Sequence, residues 1–585
     1  MKCLIVAVNA KYIHSSGAVY SLKTYADCFY RSHGVKDIQL KVMEFTINQP
    51  ELMIYYDLLK EQADVIAFAC YLWNITMIRD LLRDLKAVRP ALHILLGGPE
   101  VSYGLEGKAL DASLVDGIIA GEGERAFTAS LLMEASDREA DLKKRQAFLS
   151  LIPESWKIEK DAHVISAFPI EDLAELPFLY EDLTPFKDRI LYYEASRGCP
   201  FSCSYCLSSV ETGGRKVREL PLERVFSELA ELVKAKVKTI KFVDRTFNCH
   251  PKRAEAILDW IFRLPEDCDT TFHFEIEAGI LSSRLIEQLN GMPDGRVQVE
   301  AGIQSTCPEA LMAVSRSPKV DVIFAHLKKL LETDNVNVHV DLIAGLPYEN
   351  LQIFKQSFND VYSLHAHQFQ LGFLKLLSGS PMEQEREAYG YVFSQNPPYE
   401  ILRNRYVSTE DLYYLKQIED VLEKYWNSCR FKTTMLALEP CFDSPFELMD
   451  QLREFLDQNG ALLLPAGMQQ LFDLLSQWLI SLYEKELFHK EALRKFQASL
   501  LFDFYAASAS DHFPLGLEKA AQGALSPKAR KMRAEEILRS LDEKNPAVKN
   551  HRVRVRPIFD QLYAFDYSEK NKVWGTFICL GNFPS

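Results

Sequence analysis

The sequence predicts an α/β protein in three parts: a doubly wound sheet at the amino end, a partial (β/α)6 barrel in the middle, and a mostly α-helical carboxyl-terminal domain. Three observations carry this. Short apolar runs alternate with helical periodicity over residues 1 to about 135, and the alternation resumes near residue 189 after an acidic segment with two prolines. It stops near residue 398, where long aromatic-rich helices begin.

In the first part the strands read CLIVAV, IQLKVMEF, DVIAFACYL, LHILLGG and DGIIAGEGE, with helical segments between them. Strands this apolar are covered by helices on both faces, and ligands in such sheets sit outside the strand carboxyl ends. Residues 136 to 150 hold a charged run that reads as a solvated helix face or a linker. The stretch EDLAELPFLYEDLTPF reads as an extended crossing, so the expected division is a first domain over 1–150, a linker over 151–188, a barrel over 189–397 and a helical domain over 398–585. The barrel strands read ILYYEASRGC, TIKFVDRTF, TFHFEIEAG, RVQVEAGIQS, VNVHVDLIAGLP and QFQLGFLKL. Functional residues in such barrels belong at strand carboxyl ends, where this sequence puts cysteines, acids and glycines. Aromatic stripes in LYYLKQIEDVLEKYWN and GMQQLFDLLSQWLISLYEKELF read as core. The helical region reads as a lid or substrate-binding region, and YAFDYSEKNKVWGTFICL as a terminal hairpin.

Composition narrows the class. A chain of 585 residues exceeds one core and suggests about three or four domains. No apolar run is long enough to span a membrane, and MKCLIVAVNAKYIH reads as a first strand instead of a leader. Twelve cysteines in so long a chain are too sparse for a disulfide scaffold, which places the protein in the reducing cytoplasm. A net charge of -14 gives no strong nucleic-acid signal.

The one tight cysteine group is Cys199, Cys203 and Cys206, in SRGCPFSCSYCLSS. Four thiolates close a cubane iron-sulfur cluster, whereas three leave one iron open to a substrate or cofactor. A zinc knuckle wants four ligands, commonly two Cys-x2-Cys pairs, and no second pair occurs. The spacing CxxxCxxC, with Tyr205 just before the third cysteine, resembles the signature of the radical S-adenosylmethionine (SAM) enzymes over roughly residues 189 to 380. The resemblance implies a [4Fe-4S] cluster whose open iron chelates SAM, and reductive cleavage to a 5'-deoxyadenosyl radical. It also implies a reducing electron donor such as flavodoxin or ferredoxin. In FVDRTFN, Asp244 and Arg245 stand where many members carry the Gly-Gly-Glu that meets the methionine amino group. Glu300 and Gln304 match positions that meet the SAM ribose or amino-acid end, and Gly345 and Pro347 shape the turn beside which adenine lies.

A doubly wound domain placed before such a barrel resembles the cobalamin-binding domain of a large subgroup. The signature Asp-x-His-x-x-Gly, Ser-x-Leu, Gly-Gly appears as Tyr12-x-His14-x-x-Gly17, Cys70-x-Leu72 and Gly97-Gly98. An aspartate would orient the histidine through its second ring nitrogen, and Tyr12 replaces it here. The resemblance puts the corrin against Gly97, Gly98 and Glu100 of GGPEVS, Gly121 and Glu122 of GEGE, and Tyr71, Leu72, Trp73 and Asn74 of the third-strand loop. No GxGxxG follows the first strand and no Walker A motif occurs, which disfavours NAD or ATP.

Together these imply a cobalamin-dependent radical SAM enzyme, most often a methylase of unactivated carbon, with one SAM methylating cob(I)alamin and another supplying the radical. Rearrangement or cyclisation is also known in the subgroup. A methylthiotransferase would carry three further cluster cysteines in the first domain, and Cys3, Cys28 and Cys70 do not form such a set. A noncatalytic redox sensor is the reading from another class. Replacing any one of Cys199, Cys203 and Cys206 with Ala is expected to abolish the brown absorbance of reconstituted protein and all reductive SAM cleavage. A normal cluster in the triple variant would overturn the assignment.

Overall fold

The computed structural model describes residues 1–103, 110–186, 188–210, 216–523, 525–544 and 552–584. The chain forms two compact units. The first comprises Met1–Gln288, Met312–Ser317 and Phe373–Arg405, and the second Leu289–Leu311, Pro318–Gly372 and Tyr406–Ser585.

The first unit opens with strands β1 (Lys2–Asn9), β2 (Gln39–Thr46), β3 (Val65–Ala69), β4 (His93–Gly97) and β5 (Gly117–Ile119). A hairpin, β6 (Glu159–Asp161) and β7 (Val164–Ser166), completes the sheet, in the order β2-β1-β3-β4-β5-β7-β6. The chain reverses direction across the sheet between β1 and β3, the switch point at which doubly wound folds bind ligands. Strand β1 is apolar throughout because both its faces are covered. Leu4, Val6 and Val8 pack on helices α2 (Glu51–Lys60) and α3 (Ile75–Val88), while Cys3, Ile5 and Ala7 pack on α1 (Gly17–Ser32) and α4 (Gly123–Arg138). A short helix α5 (Leu142–Ser150) follows.

The stretch read from sequence as a linker carries part of this domain. Strand β7 pairs in parallel with β5, and Trp156 is buried against Phe29 with ring centroids 4.9 Å apart. The hairpin escapes a periodicity search because Glu159, Lys160 and Asp161 are all exposed and show no apolar alternation.

Barrel strands β8 (Ile190–Tyr193), β11 (Thr239–Phe242) and β12 (Thr271–Ile276) also lie in the first unit, with β11 parallel to both neighbours. Between β8 and β11 a two-stranded ribbon, β9 (Ser196–Arg197) and β10 (Arg218–Glu219), brackets the cysteine loop. A second ribbon pairs β16 (Val392–Phe393) with β17 (Ile401–Arg403).

The second unit holds β13 (Val297–Gln304), β14 (Asn337–Ala344) and nearly all of β15 (Gln368–Phe373). Their side chains alternate strictly. Val297, Val299, Ala301 and Ile303 are buried on one face of β13, and Gln298, Glu300, Gly302 and Gln304 occupy the other. Helices over Thr409–Leu422, Pro445–Gln458, Met468–Glu484 and Lys490–Ala507 bury the aromatic stripes seen in the sequence, including Trp478 and Phe504. The chain ends in an antiparallel meander of β18 (Val553–Ile558), β19 (Gln561–Lys570) and β20 (Phe577–Pro584), one strand more than the expected hairpin.

Two glycines at strand ends of the first domain differ in what surrounds them. Gly98 has φ +107° and an added Cβ would stand 2.6 Å from the Cys70 carbonyl oxygen, whereas Gly121, at φ +73°, faces nothing within 4 Å. Gly98→Ala is expected to cost roughly 2 kcal/mol or more, from backbone strain plus the clash. Gly121→Ala should cost only the backbone part, about 1 kcal/mol. Urea midpoints of the first unfolding transition compare the two, and equal midpoints would contradict the packing described for Gly98.

Candidate active site

The cysteine loop leaves the ribbon at Gly198, whose φ of +102° lets the backbone close against the Lys216 carbonyl. Cys203 is buried, Cys199 and Cys206 are half-buried, and none of the three is in a disulfide. The Cys199 sulfur stands 3.6 Å from Thr246 Oγ1. Arg316 reaches the loop from far along the chain, donating from Nη1 to Cys203 Sγ at 3.7 Å and to Tyr205 Oη at 3.4 Å, and from Nη2 to Glu277 Oε2 at 2.8 Å. Burial pushes the Cys203 thiol up, and the Arg316 guanidinium offsets part of that by favouring the thiolate. Among the described residues no three His, Cys, Asp or Glu side chains converge on one point, as ligands of a single zinc ion would.

Asp244 lies at the carboxyl end of β11, but its carboxylate is committed inside the fold. It accepts from the Ala195 amide at 2.9 Å and from Ser196 Oγ at 2.5 Å, and burial pushes it up to about 6. It therefore fixes the chain entering the cysteine loop. Arg245 beside it is exposed. The acid beside the loop is Glu277, just past β12, whose backbone is tied to Asn248 by two 2.9 Å hydrogen bonds. Sequence reasoning missed Glu277 and Arg316. Glu277 could have been found as the acid ending its barrel strand, whereas Arg316 has no local signal.

In the second unit Glu300 and Gln304 share the polar face of β13. Gln304 has φ 72° at a bulge in the pairing with β14, and its buried Oε1 has no hydrogen-bond partner. A strained residue with an orphaned acceptor suits a ligand hydroxyl, such as that of a ribose. Gly345 turns at φ 95° and leads through Pro347 to Tyr348, at φ 64° and 46% exposed. Glu349 then buries its carboxyl between Ser305 Oγ at 2.6 Å and Ser357 Oγ at 2.8 Å, where burial pushes it up to about 7. It ties the turns after β13 and β14 together.

At the switch point of the first sheet, Arg189 grips the β1 loop. Its guanidinium forks onto Glu44 at 2.7 and 3.1 Å, and it also donates to the carbonyls of Tyr12 and His14. His14 Nδ1 lies 2.7 Å from Tyr192 Oη, so the imidazole is oriented by β8, while Tyr12 is 75% exposed. Burial, with the cations Lys11, Lys241 and Arg189, pushes the imidazole down and keeps it neutral. Tyr71 and Trp73 stack in parallel with centroids 4.5 Å apart, and Trp73, 47% exposed, is anchored by its Nε1 to the Val8 carbonyl at 3.1 Å. Trp73 is thus an exposed aromatic beside the half-buried Tyr71 and Leu72 at the carboxyl end of β3. Asn74 is instead a tie of the fold, donating to Val8 and Ala69 carbonyls at 3.0 and 2.9 Å. Glu100 is buried and accepts from Tyr399 Oη, and Glu122 is held by Arg218 and Arg197. Gly97 and Gly98 line the same strand end, where the Cys70 carbonyl fills the space beside Gly98.

Comparison with known proteins completes the assignment. Residues 5–131 match the B12 binding domain and residues 193–361 the radical SAM superfamily. The chain thus carries a B12 binding domain followed by a radical SAM domain. Cofactors of this class are a [4Fe-4S] cluster, SAM and cobalamin. Residues 387–571 match a protein of unknown function (DUF4080). Among relatives, the 2-(S-pantetheinyl)-carbapenam-3-carboxylate methyltransferase of Streptantibioticus cattleyicolor is 23% identical over 360 residues, 56% of this chain and 49% of its own length. The chain thus spans about half the length of the curated relatives it matches. Two solved structures share the fold. OxsB, with aqua-cobalamin and SAM bound, aligns over 86% of this chain and 83% of its own at TM-score 0.55 and 13% identity. TsrM of Kitasatospora setae, a methyltransferase with cobalamin and a [4Fe-4S] cluster bound, aligns over 68% of this chain and 82% of its own at TM-score 0.52 and 14% identity.

His14 Nδ1 is thus held at 2.7 Å by the Tyr192 phenol and not by the carboxylate that would raise the basicity of a ligating imidazole. The cob(II)alamin electron paramagnetic resonance (EPR) spectrum is expected to show no nitrogen splitting from His14 and to be unchanged in His14→Ala. Splitting lost in that variant would show ligation. Arg316→Met is expected to make the cluster potential more negative, because a cation donating to a cluster thiolate favours the reduced state. A redox titration giving an unchanged potential would remove Arg316 from the cluster's surroundings.

Proposed function

We propose that this enzyme transfers a methyl group from SAM to an unactivated carbon by way of cobalamin. The observation that supports this most directly is the joining of the two cofactor loops: β8 and the residues after it reach the β1 loop through Arg189 and Tyr192 and the β5 loop through Arg197, then continue into the cysteines. The methyltransferase relative points the same way.

When bound, a cluster with an open iron supplies the electron that splits SAM into methionine and a hydrogen-abstracting radical, and cobalamin supplies methyl carriage. The chain's own residues prepare the rest. Cys199, Cys203 and Cys206 hold the cluster, and Asp244 fixes the backbone before them. The Arg316 and Glu277 pair offers a cation and an acid beside Cys203, complementary to the carboxylate and ammonium ends of an amino acid such as methionine. Trp73 and Tyr71 present an apolar, rigid face to a corrin and exclude water from it.

Electrons come, in this proposal, from a low-potential carrier such as flavodoxin or ferredoxin. A reducing cytoplasmic setting fits twelve cysteines of which none is in a disulfide among the described residues. The test needs no substrate. Anaerobic holoenzyme given SAM labelled in its methyl carbon and a low-potential reductant is expected to place label in the cobalamin fraction and to release 5'-deoxyadenosine. 5'-Deoxyadenosine without label in cobalamin would favour a rearrangement or cyclisation, and the absence of both products would favour a redox sensor.

A further inference from the structure

Arg197 and Arg218 face each other across the ribbon of β9 and β10, a placement that costs free energy unless both cations are answered. The loop after β5 and the first turn of α4 answer them. Arg197 Nη2 donates to Glu124 Oε1 at 2.5 Å and Nη1 lies 3.3 Å from both Glu124 Oε2 and Glu122 Oε2. Arg218 Nη1 donates to Glu122 Oε2 at 3.2 Å, with Nη2 on Oε1. Glu194 takes Arg197 Nε at 2.9 Å and Ser21 Oγ caps Glu124 at 2.7 Å. Side-chain exposure is 14% for Arg197 and 5% for each of Arg218 and Glu124. The Arg197 guanidinium outweighs burial and holds the Glu124 carboxyl down to about 2.

A buried lattice of this kind is seldom a net source of stability compared with apolar residues of the same shape, because desolvation offsets the attraction. Its distinctive property is geometry. Forked guanidinium pairs admit one register, and this register is written on both sides of a cofactor boundary. Arg197 lies two residues before Cys199, and Glu122 follows Gly121, the strand-end glycine with open space beside it.

We propose that Arg197 and Arg218 are positioning residues that set the first cluster cysteine in register with the β5 loop of the cobalamin domain, so that filling either cofactor site strengthens binding at the other. This rests on the cobalamin and cluster sites read above. Ordering one loop orders the shared lattice, and the second cofactor then meets a loop already in place. Linkage makes the effect reciprocal.

The test uses the full chain with and without reconstituted cluster, and hydroxocobalamin as titrant, followed by its visible spectrum. Wild-type protein is expected to bind cobalamin about tenfold more tightly when the cluster is present. In Arg197→Met that ratio should fall below about twofold while iron content stays at the wild-type level, and Arg197→Lys should restore part of it. A merely structural role would lower both affinities and leave their ratio unchanged. Glu124→Gln, which keeps shape and the Ser21 contact, supplies the same comparison if Arg197→Met fails to fold. A tenfold ratio that persists in either variant, or a wild type with no ratio, would overturn the proposal. A wild type that binds no cobalamin in either state would overturn the cobalamin reading itself.

Discussion

Arg189, strand β8 and the residues that follow it bear much of the weight of the first unit's loops, because they exchange hydrogen bonds with the chain after β1, β5 and β11. Arg189 and Tyr192 hold the β1 loop, Ala195 and Ser196 donate to Asp244, and Arg197 engages Glu122 and Glu124. The next residues are the cysteine loop. These contacts are buried and charge-assisted, so they tolerate little displacement: a guanidinium shifted by an ångström leaves a carboxylate desolvated and unpaired. The consequence is precision in placing Cys199 relative to the β1 and β5 loops.

The second unit reaches a related end with a different device. Its strands are ordinary alternating ladders until their carboxyl ends, where Gln304 and Tyr348 take positive φ angles. Such conformations persist only when neighbours over-determine them, and Glu349 does so here by joining Ser305 to Ser357. Strain and an unpartnered acceptor therefore coincide at the carboxyl end of β13, while the buried apolar face of that strand remains regular.

Periodicity and spacing are local properties, and what depends on them was legible in the chain alone. The CxxxCxxC loop, the alternation of apolar strands and helices, and the change to long aromatic helices near residue 398 each lie within a few tens of residues. From them follow a doubly wound first domain, a partial barrel and a helical third part, and the expectation of an open-iron cluster site. Tertiary packing decided which polar residues are free to meet a ligand. Asp244, Glu100 and Glu122 sit at strand ends as the motifs require, yet each carboxylate is bonded inside the fold. Tyr12 stands where a partner for His14 is expected and points to solvent, while Tyr192, 178 residues away, takes that role. Arg316 reaches Cys203 across 113 residues. A one-dimensional pattern records which face of an element is apolar. The hydrogen-bond partner of a buried charge is set by whichever distant strand end the closed fold brings within about 3 Å.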